Sequence, residues 1–298
     1  MISIPGSWAQ WLGRPAPANP VQHVGPELRA QVRRLEIRAR QAMEAGMAGR
    51  YRSAFKGRGL EFDEVREYRS GDDVRTIDWN VTARTGDLHV KRYHEERDLT
   101  VLLLVDLSAS TRFGSGVMTV HDLIAEASSL FALAASKQDR VGAVLFDDKI
   151  RSLIPPRAGW RHGLRVVREV LGATPGGRGT AVDEAVSAAG RLLHRRGVVI
   201  LVVDRMCSLP RRMLAALAGR HDVVVVRVGD PLLDGGIKGS VVPAADVEKG
   251  RRWIAGRIRG SQPNGAVPGV DFVDLSTNRD YLPAVQALFD RRERRRAG

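Results

Sequence analysis

Two apolar runs constrain this chain more than anything else in it. Residues 99–105 (Leu-Thr-Val-Leu-Leu-Leu-Val) and 197–203 (Gly-Val-Val-Ile-Leu-Val-Val) show no apolar–polar alternation, and each stops at a carboxylate, Asp106 and Asp204. A continuous run of that length reads as a strand buried on both faces, the mark of a parallel sheet covered by helices on either side. Both runs are far short of the roughly 20 residues that cross a bilayer. With 43% hydrophobic and 27% charged residues, the chain has material for a real core.

The rest of the pattern agrees. Further strands are expected at 140–148, 221–230 and 270–276, with 149–156 as a short antiparallel neighbour. Helical spacing appears at 119–137, 160–172, 181–195, 209–220 and 280–296, the last presenting Leu282, Val285, Leu288 and Phe289. Strands alternating with helices predict an α/β fold with a doubly wound, mainly parallel sheet flanked by helices. Ahead of it, residues 1–26 read as a proline-rich extended arm. Residues 27–97 hold a helix, with Leu28, Val32, Leu35, Ala39, Ala42 and Met43 as its stripe, and then a charged strand or loop segment. The α/β domain spans 98–290, and 291–298 is a basic tail. The glycine-bearing run at 45–59 is expected to end the first helix.

In doubly wound sheets, ligands sit beyond the carboxyl ends of the strands where strand order reverses. The first apolar strand ends in Asp106-Leu107-Ser108-Ala109-Ser110, and the second ends in Asp204. Between them runs Gly176-Gly177-Arg178-Gly179-Thr180, a glycine-rich loop before a helix. Asp106, Ser108, Ser110, Thr180 and Asp204 thus offer five hard oxygen donors, a set suited to Mg²⁺ or Mn²⁺ with water completing the octahedron. Ser and Asp after a strand are also ordinary turn and cap residues.

This constellation resembles the metal-ion-dependent adhesion site of von Willebrand factor A-type domains. The resemblance implies that Ser108 and Ser110 bind the metal directly and that the aspartates hold it partly through water. It further implies that a partner's Glu or Asp takes the open position. Arg178, two residues before Thr180, departs from the pattern; it would weaken metal binding or draw an acidic partner.

A second resemblance lies at 57–97. Gly57, Gly59, Glu61-Phe62, Arg66, Tyr68, Gly71-Asp72-Asp73, Arg75, Ile77-Asp78-Trp79, Ala83-Arg84, Val90-Lys91 and Glu95 look like the signature of the bacterial family called domain of unknown function 58. Members of that family often carry two N-terminal transmembrane helices, so this chain looks like a short soluble form. The family is commonly paired with MoxR-type AAA+ ATPases. The resemblance therefore implies a chaperone-like adaptor whose cation clamps an acidic residue of the ATPase or of its client. Read from the residues alone, Asp72, Asp73, Asp78, Arg66, Arg75 and Arg84 can form dense bidentate ion pairs, with Trp79 and Tyr68 as apolar anchors. The segment is then a charge-laced hairpin or loop layer packed on the sheet edge, or a partner surface or a shell supporting the metal site, and the two readings are compatible.

Other functions find less in the sequence. A phosphotransferase of the haloacid-dehalogenase type would need an Asp where Ser108 stands. There is no G-x-S-x-G elbow and no G-x-x-x-x-G-K-[ST] loop. The seven histidines show no paired ligand spacing, and the single cysteine, Cys207, reads as packing. The chain is expected not to be an enzyme. One cysteine, no apolar span and a poor signal peptide place it by default in the cytoplasm. The net charge of +13 raises nucleic acid or an anionic membrane surface as the alternative partner. It would be met by the N-terminal helix and by Arg291, Arg292, Arg294, Arg295 and Arg296. The charge is spread over both ends rather than gathered on one element, which disfavours that alternative.

Overall fold

A computed structural model of the chain describes residues 26–42, 46–55, 60–95, 99–234, 242–246, 251–255 and 266–297. The arm expected over 1–26 lies outside them save for Pro26, as do Gly57 and Gly59. In chain order the elements are α1 (Pro26–Ala42), α2 (Ala48–Phe55), β1 (Leu60–Glu67), a 3-10 turn (Val74–Thr76), α3 (Trp79–Thr85) and β2 (His89–Glu95). Then follow β3 (Thr100–Asp106), a second 3-10 turn (Ala109–Arg112), α4 (Val120–Ser136), β4 (Arg140–Phe146), β5 (Ile150–Ala158), α5 (Trp160–Gly172) and α6 (Val182–Leu192). The chain continues through β6 (Val198–Asp204), α7 (Arg211–Ala218), β7 (Asp222–Gly229), α8 (Pro231–Asp234), β8 (Val242–Asp246), β9 (Arg251–Ala255), β10 (Val270–Ser276) and α9 (Leu282–Ala297).

Six strands form one sheet in the order β10-β7-β6-β3-β4-β5. All pairings are parallel except β4 with the edge strand β5. Strand order reverses between β3 and β6, the two apolar runs, so Asp106 and Asp204 finish side by side at the crevice such folds use for ligands. The expected α/β class and doubly wound, mainly parallel sheet are those observed.

Those two strands lack alternation because each side of the sheet is covered. Val101, Leu103 and Val105 of β3 and Val198, Ile200 and Val202 of β6 pack with α1, α2, α4, α5 and α9. Leu102, Leu104, Val199, Leu201 and Val203 face the other way, toward α6 and α7. Successive strand side chains point to opposite faces, so a run that is apolar at every position fills two cores at once. Truncating any one of them, as in Leu103→Ala, costs about 2–5 kcal/mol. Gly142 is required where β5 crosses β4, because a Cβ there would lie 2.7 Å from the Ile154 carbonyl oxygen. Helix α4 starts on a full capping box, Thr119 and Asp122 each satisfying the other's backbone N–H.

Two expectations change. The glycine-bearing run does end α1, but a second helix, α2, follows, buried through Tyr51, Ala54 and Phe55. The charged segment at 60–95 is a hairpin, β1 pairing antiparallel with β2 in a two-stranded sheet of its own. The basic tail is the last two turns of α9, and Arg292 within it is 1% exposed. Its guanidinium pairs with Asp222 and Asp271, donates to the Ala54 carbonyl and lies 4.6 Å from the Phe55 ring centre. Arg295 makes two further bonds to Asp271, at 2.9 and 3.1 Å. Both arginines bind the fold together; burial removes Arg292 from any nucleic-acid or membrane surface, while Arg295 stays 61% exposed. The β8–β9 pair was not foreseen.

Candidate metal centre

Asp106 ends β3 with no exposed surface. Its Oδ1 accepts the Ser108 N–H at 2.8 Å and its Oδ2 the Asp204 N–H at 3.4 Å. Burial pushes its pKa up to about 6; the bonds from Ser108 and Asp204 pull the other way, and the neighbouring Asp204 charge adds to the rise. No basic side chain is among the groups that set this value. Asp204 is 3% exposed and accepts the Met206 N–H at 2.9 Å.

Ser108 occupies the N-cap position of the 3-10 turn, yet its side chain makes no capping bond. Its hydroxyl instead lies 3.1 Å from that of Ser110, while Thr111 Oγ1 donates to its carbonyl at 2.7 Å. The glycine loop is sewn down at both ends. Gly176 N–H donates to the Leu107 carbonyl at 2.8 Å, and Ala181 N–H to the Asp147 carbonyl at 2.6 Å. Gly177 has φ +74°, and a Cβ on it would lie 2.9 Å from Asp147 Cγ. Glycine is therefore needed for both conformation and space. Thr180 stands one residue before Ala181, which holds the N-cap of α6 without a side-chain bond. The Thr180 hydroxyl has no hydrogen-bond partner among the described residues, and neither does the Arg178 guanidinium, whose backbone N–H meets Asp148 at 3.3 Å.

The fold thus brings the two segments bearing Asp106, Ser108, Ser110 and Asp204 together, and anchors the loop bearing Thr180 against the first of them. Among the described residues no three His, Cys, Asp or Glu side chains gather as a metal group. The donor set here is two carboxylates and three hydroxyls. It fits a hard divalent cation on the structure's own terms: two buried carboxylates, Asp106 and Asp204, beside the Ser108 and Ser110 hydroxyls, and a Thr180 hydroxyl with no hydrogen-bond partner among the described residues.

The signature residues resolve differently. Arg66 and Asp72 form the expected bidentate pair, at 2.7 and 2.8 Å, and it holds the Asp72 carboxyl down at about 2. Asp73 caps the 3-10 turn through the Arg75 N–H at 3.0 Å, and Asp78 caps α3 through Asn80 and Val81. Tyr68 is half-buried, its N–H bonded to the Leu88 carbonyl at 2.8 Å, while Arg75 and Arg84 are exposed. Trp79 is not an anchor: it is 67% exposed, because Asp78 turns the first residue of α3 outward.

Sequence reading missed Asp230, which follows β7 as Asp106 finishes β3. It has no exposed surface and accepts from Ser115 N–H and Oγ (3.0 and 2.6 Å), Thr277 Oγ1 (2.7 Å) and Leu232 N–H (3.0 Å). Burial raises its pKa, but these bonds outweigh it and the net shift is downward. Asp230 ties the loop after the first motif to the β7 and β10 ends. A third strand running into Asp, as Val-Arg-Val-Gly-Asp does, was the available signal.

With the geometry in place, comparison with known proteins gives the family. A family described as "Protein of unknown function DUF58" matches residues 64–251. The chain belongs to this family. The DUF58 match takes in most of the β1–α3–β2 segment and the sheet through β7. Uncharacterized protein Rv1480 of Mycobacterium tuberculosis is 35% identical over 211 residues, 69% of this chain and 66% of that protein. Uncharacterized protein Mb1516 of Mycobacterium bovis matches equally. The match thus spans just under two thirds of these relatives' length. Among solved structures, the conserved hypothetical protein BatB of Bacteroides thetaiotaomicron is similar at TM-score 0.48 and 16% identity, over 66% of this chain and 99% of that one. The manganese-loaded TRAP protein of Plasmodium vivax is similar at TM-score 0.37 and 16% identity, over 66% and 74%. Among the described residues, no helix is long and apolar enough to cross a membrane.

Proposed function

We propose that this chain is a non-enzymatic protein-interaction module that works through a bound divalent cation, Mg²⁺ or Mn²⁺. The observation that carries this reading is the state of the hydroxyls. Ser108 stands at the N-cap of the 3-10 turn, where such side chains ordinarily cap, and does not do so, and the Thr180 hydroxyl, one residue before the N-cap of α6, has no hydrogen-bond partner among the described residues. Asp106 is buried beside a second carboxylate, and that burial raises its pKa. Ser108, Ser110 and Thr180 would hold the metal directly, with Asp106 and Asp204 behind them, in part through water. When bound, the cation would supply a Lewis-acid position open to one further oxygen ligand. The residues themselves orient that position: the Asp106 bonds fix the first motif, and the Gly177 turn fixes the Thr180 loop.

The partner we propose is a MoxR-type AAA+ ATPase, or its client, offering an acidic side chain. Arg178, whose guanidinium is exposed at the rim, would steer it. Titration calorimetry with Mg²⁺ and Mn²⁺ tests the cation; capture of the ATPase with and without chelator tests the partner. Asp106→Ala should lower both. Undiminished capture in chelator and in Asp106→Ala would reject the clamp.

A further inference from the structure

The apolar side chains left in solvent point to what the metal face meets. Seven large hydrophobics are exposed among the described residues, and six fall in two groups. Val74 (64%), Trp79 (67%) and Leu88 (44%) lie on the β1–α3–β2 segment. Val117 (109%), Met206 (45%) and Leu232 (39%) lie on the loops that bond to Asp230 and Asp204. Exposed apolar groups gathered in this way mark interaction surfaces.

The first group lies on an acidic segment of an otherwise basic chain. Residues 60–95 carry nine carboxylates against six basic side chains, −3 within a chain of +13. The segment leaves and rejoins the body at the amino end of the sheet. It follows Phe55, which is held by Arg292 beside Asp222 and Asp271 at the starts of β7 and β10. It returns just before Thr100, the start of β3. The metal face is at the other end of β3, about 23 Å away for seven residues at 3.3 Å each. Asp87, in the turn between α3 and β2, is exposed. Its carboxylate takes no hydrogen bond or ion pair among the described residues, whereas those of Asp72, Asp73 and Asp78 are engaged.

We infer that the β1–α3–β2 segment of one copy docks on the metal face of a second copy, Asp87 taking the cation's open position and Trp79 and Leu88 packing on Val117, Met206 and Leu232. This rests on the cation-binding reading and adds its regulation: an acidic client must displace a neighbouring copy. A contact between two different surfaces is heterologous, so it propagates head to tail rather than closing as a two-fold dimer. Six side chains make a small interface, and the association is therefore weak and concentration-dependent.

Sedimentation velocity on the full chain, from micromolar to submillimolar protein, tests this. In Mg²⁺ the mean mass should rise with concentration, and EDTA should return it to monomer. Asp87→Asn and Trp79→Ala should each weaken association about tenfold or more. Asp87→Asn and Asp106→Ala should each be monomeric alone, yet pair when mixed, since one keeps the metal face and the other the segment. Monomer at every concentration, with Mg²⁺ bound by calorimetry, overturns the docking and leaves the cation reading standing. Association that ignores EDTA and Asp87→Asn overturns it too, as does a mixture that fails to pair, the result expected if the segment meets its own metal face. No cation bound by calorimetry removes the underlying reading itself.

Discussion

The two ends of the central sheet bury aspartates in opposite ways. At the amino end, Asp222 and Asp271 meet Arg292, itself 1% exposed, and Arg295 reinforces the pair. At the carboxyl end, Asp106 meets two backbone N–H groups, the Ser108 side chain and another carboxylate. Taking a carboxylate from water costs several kcal/mol unless a cation compensates. The amino end supplies the cation from the chain and becomes a structural weld between α2, α9 and the sheet. At the carboxyl end, on the proposed reading, the cation comes from outside. That reading sets a buried charge that serves stability against one that would serve a ligand.

The largest effect is expected where the weld is broken. Arg292→Ala strips Asp222 and Asp271 of their main partner and removes the group stacked on Phe55. Urea denaturation should show a loss of about 3–5 kcal/mol, insensitive to Mg²⁺. A loss below about 1 kcal/mol would mean that the amino end is not held as described. Next comes Asp106 itself. Its folded pKa, about 6, lies above the unfolded carboxylate value of 3.8. Without cation, the stability tied to its protonated form is full below about pH 4 and is lost as pH rises through about 6. A shift of that size corresponds to about 3 kcal/mol. Subtracting the pH profile of Asp106→Asn isolates it from the other carboxylates. Mg²⁺ should reverse the loss above pH 6, and its apparent affinity should fall as pH drops below 6. A flat difference profile would place Asp106 outside the low-dielectric site.

Much of this contrast was legible beforehand, and the unread part has physical causes. The strands at the crevice were readable because burial on both faces leaves a run apolar at every position, as in 99–105 and 197–203. The candidate donors could be named because they sit at fixed offsets from those strand ends. Arg292 was not, since a guanidinium in an Arg-rich run looks solvated until Asp222 and Asp271, from two distant strands, are seen beside it. Nor was Trp79: an indole in a charged segment suggests an anchor, and only the Asp78 cap reveals that α3 starts with it facing out. Asp230 was hidden for a related reason. Its partners, Ser115 and Thr277, are 115 and 47 residues away, a separation that local pattern cannot bridge.

The smallest effects give the sharpest test, because they compare hydroxyls of one kind in two settings. Thr119 caps α4, its Oγ1 accepting the Asp122 N–H at 3.1 Å. Thr119→Ala should cost about 1 kcal/mol of stability and leave cation affinity unchanged. Thr180 stands one residue before the N-cap of α6, its hydroxyl without a partner among the described residues, and Ser108 stands at an N-cap that its side chain does not use. Thr180→Ala should change stability by no more than about 0.5 kcal/mol without cation, and both Thr180→Ala and Ser108→Ala should weaken Mg²⁺ binding in calorimetry. If Thr180→Ala instead behaves as Thr119→Ala does, its hydroxyl is a fold element. The carboxyl end then loses the ligand that completes its donor set, and the difference between the two ends narrows to charge alone.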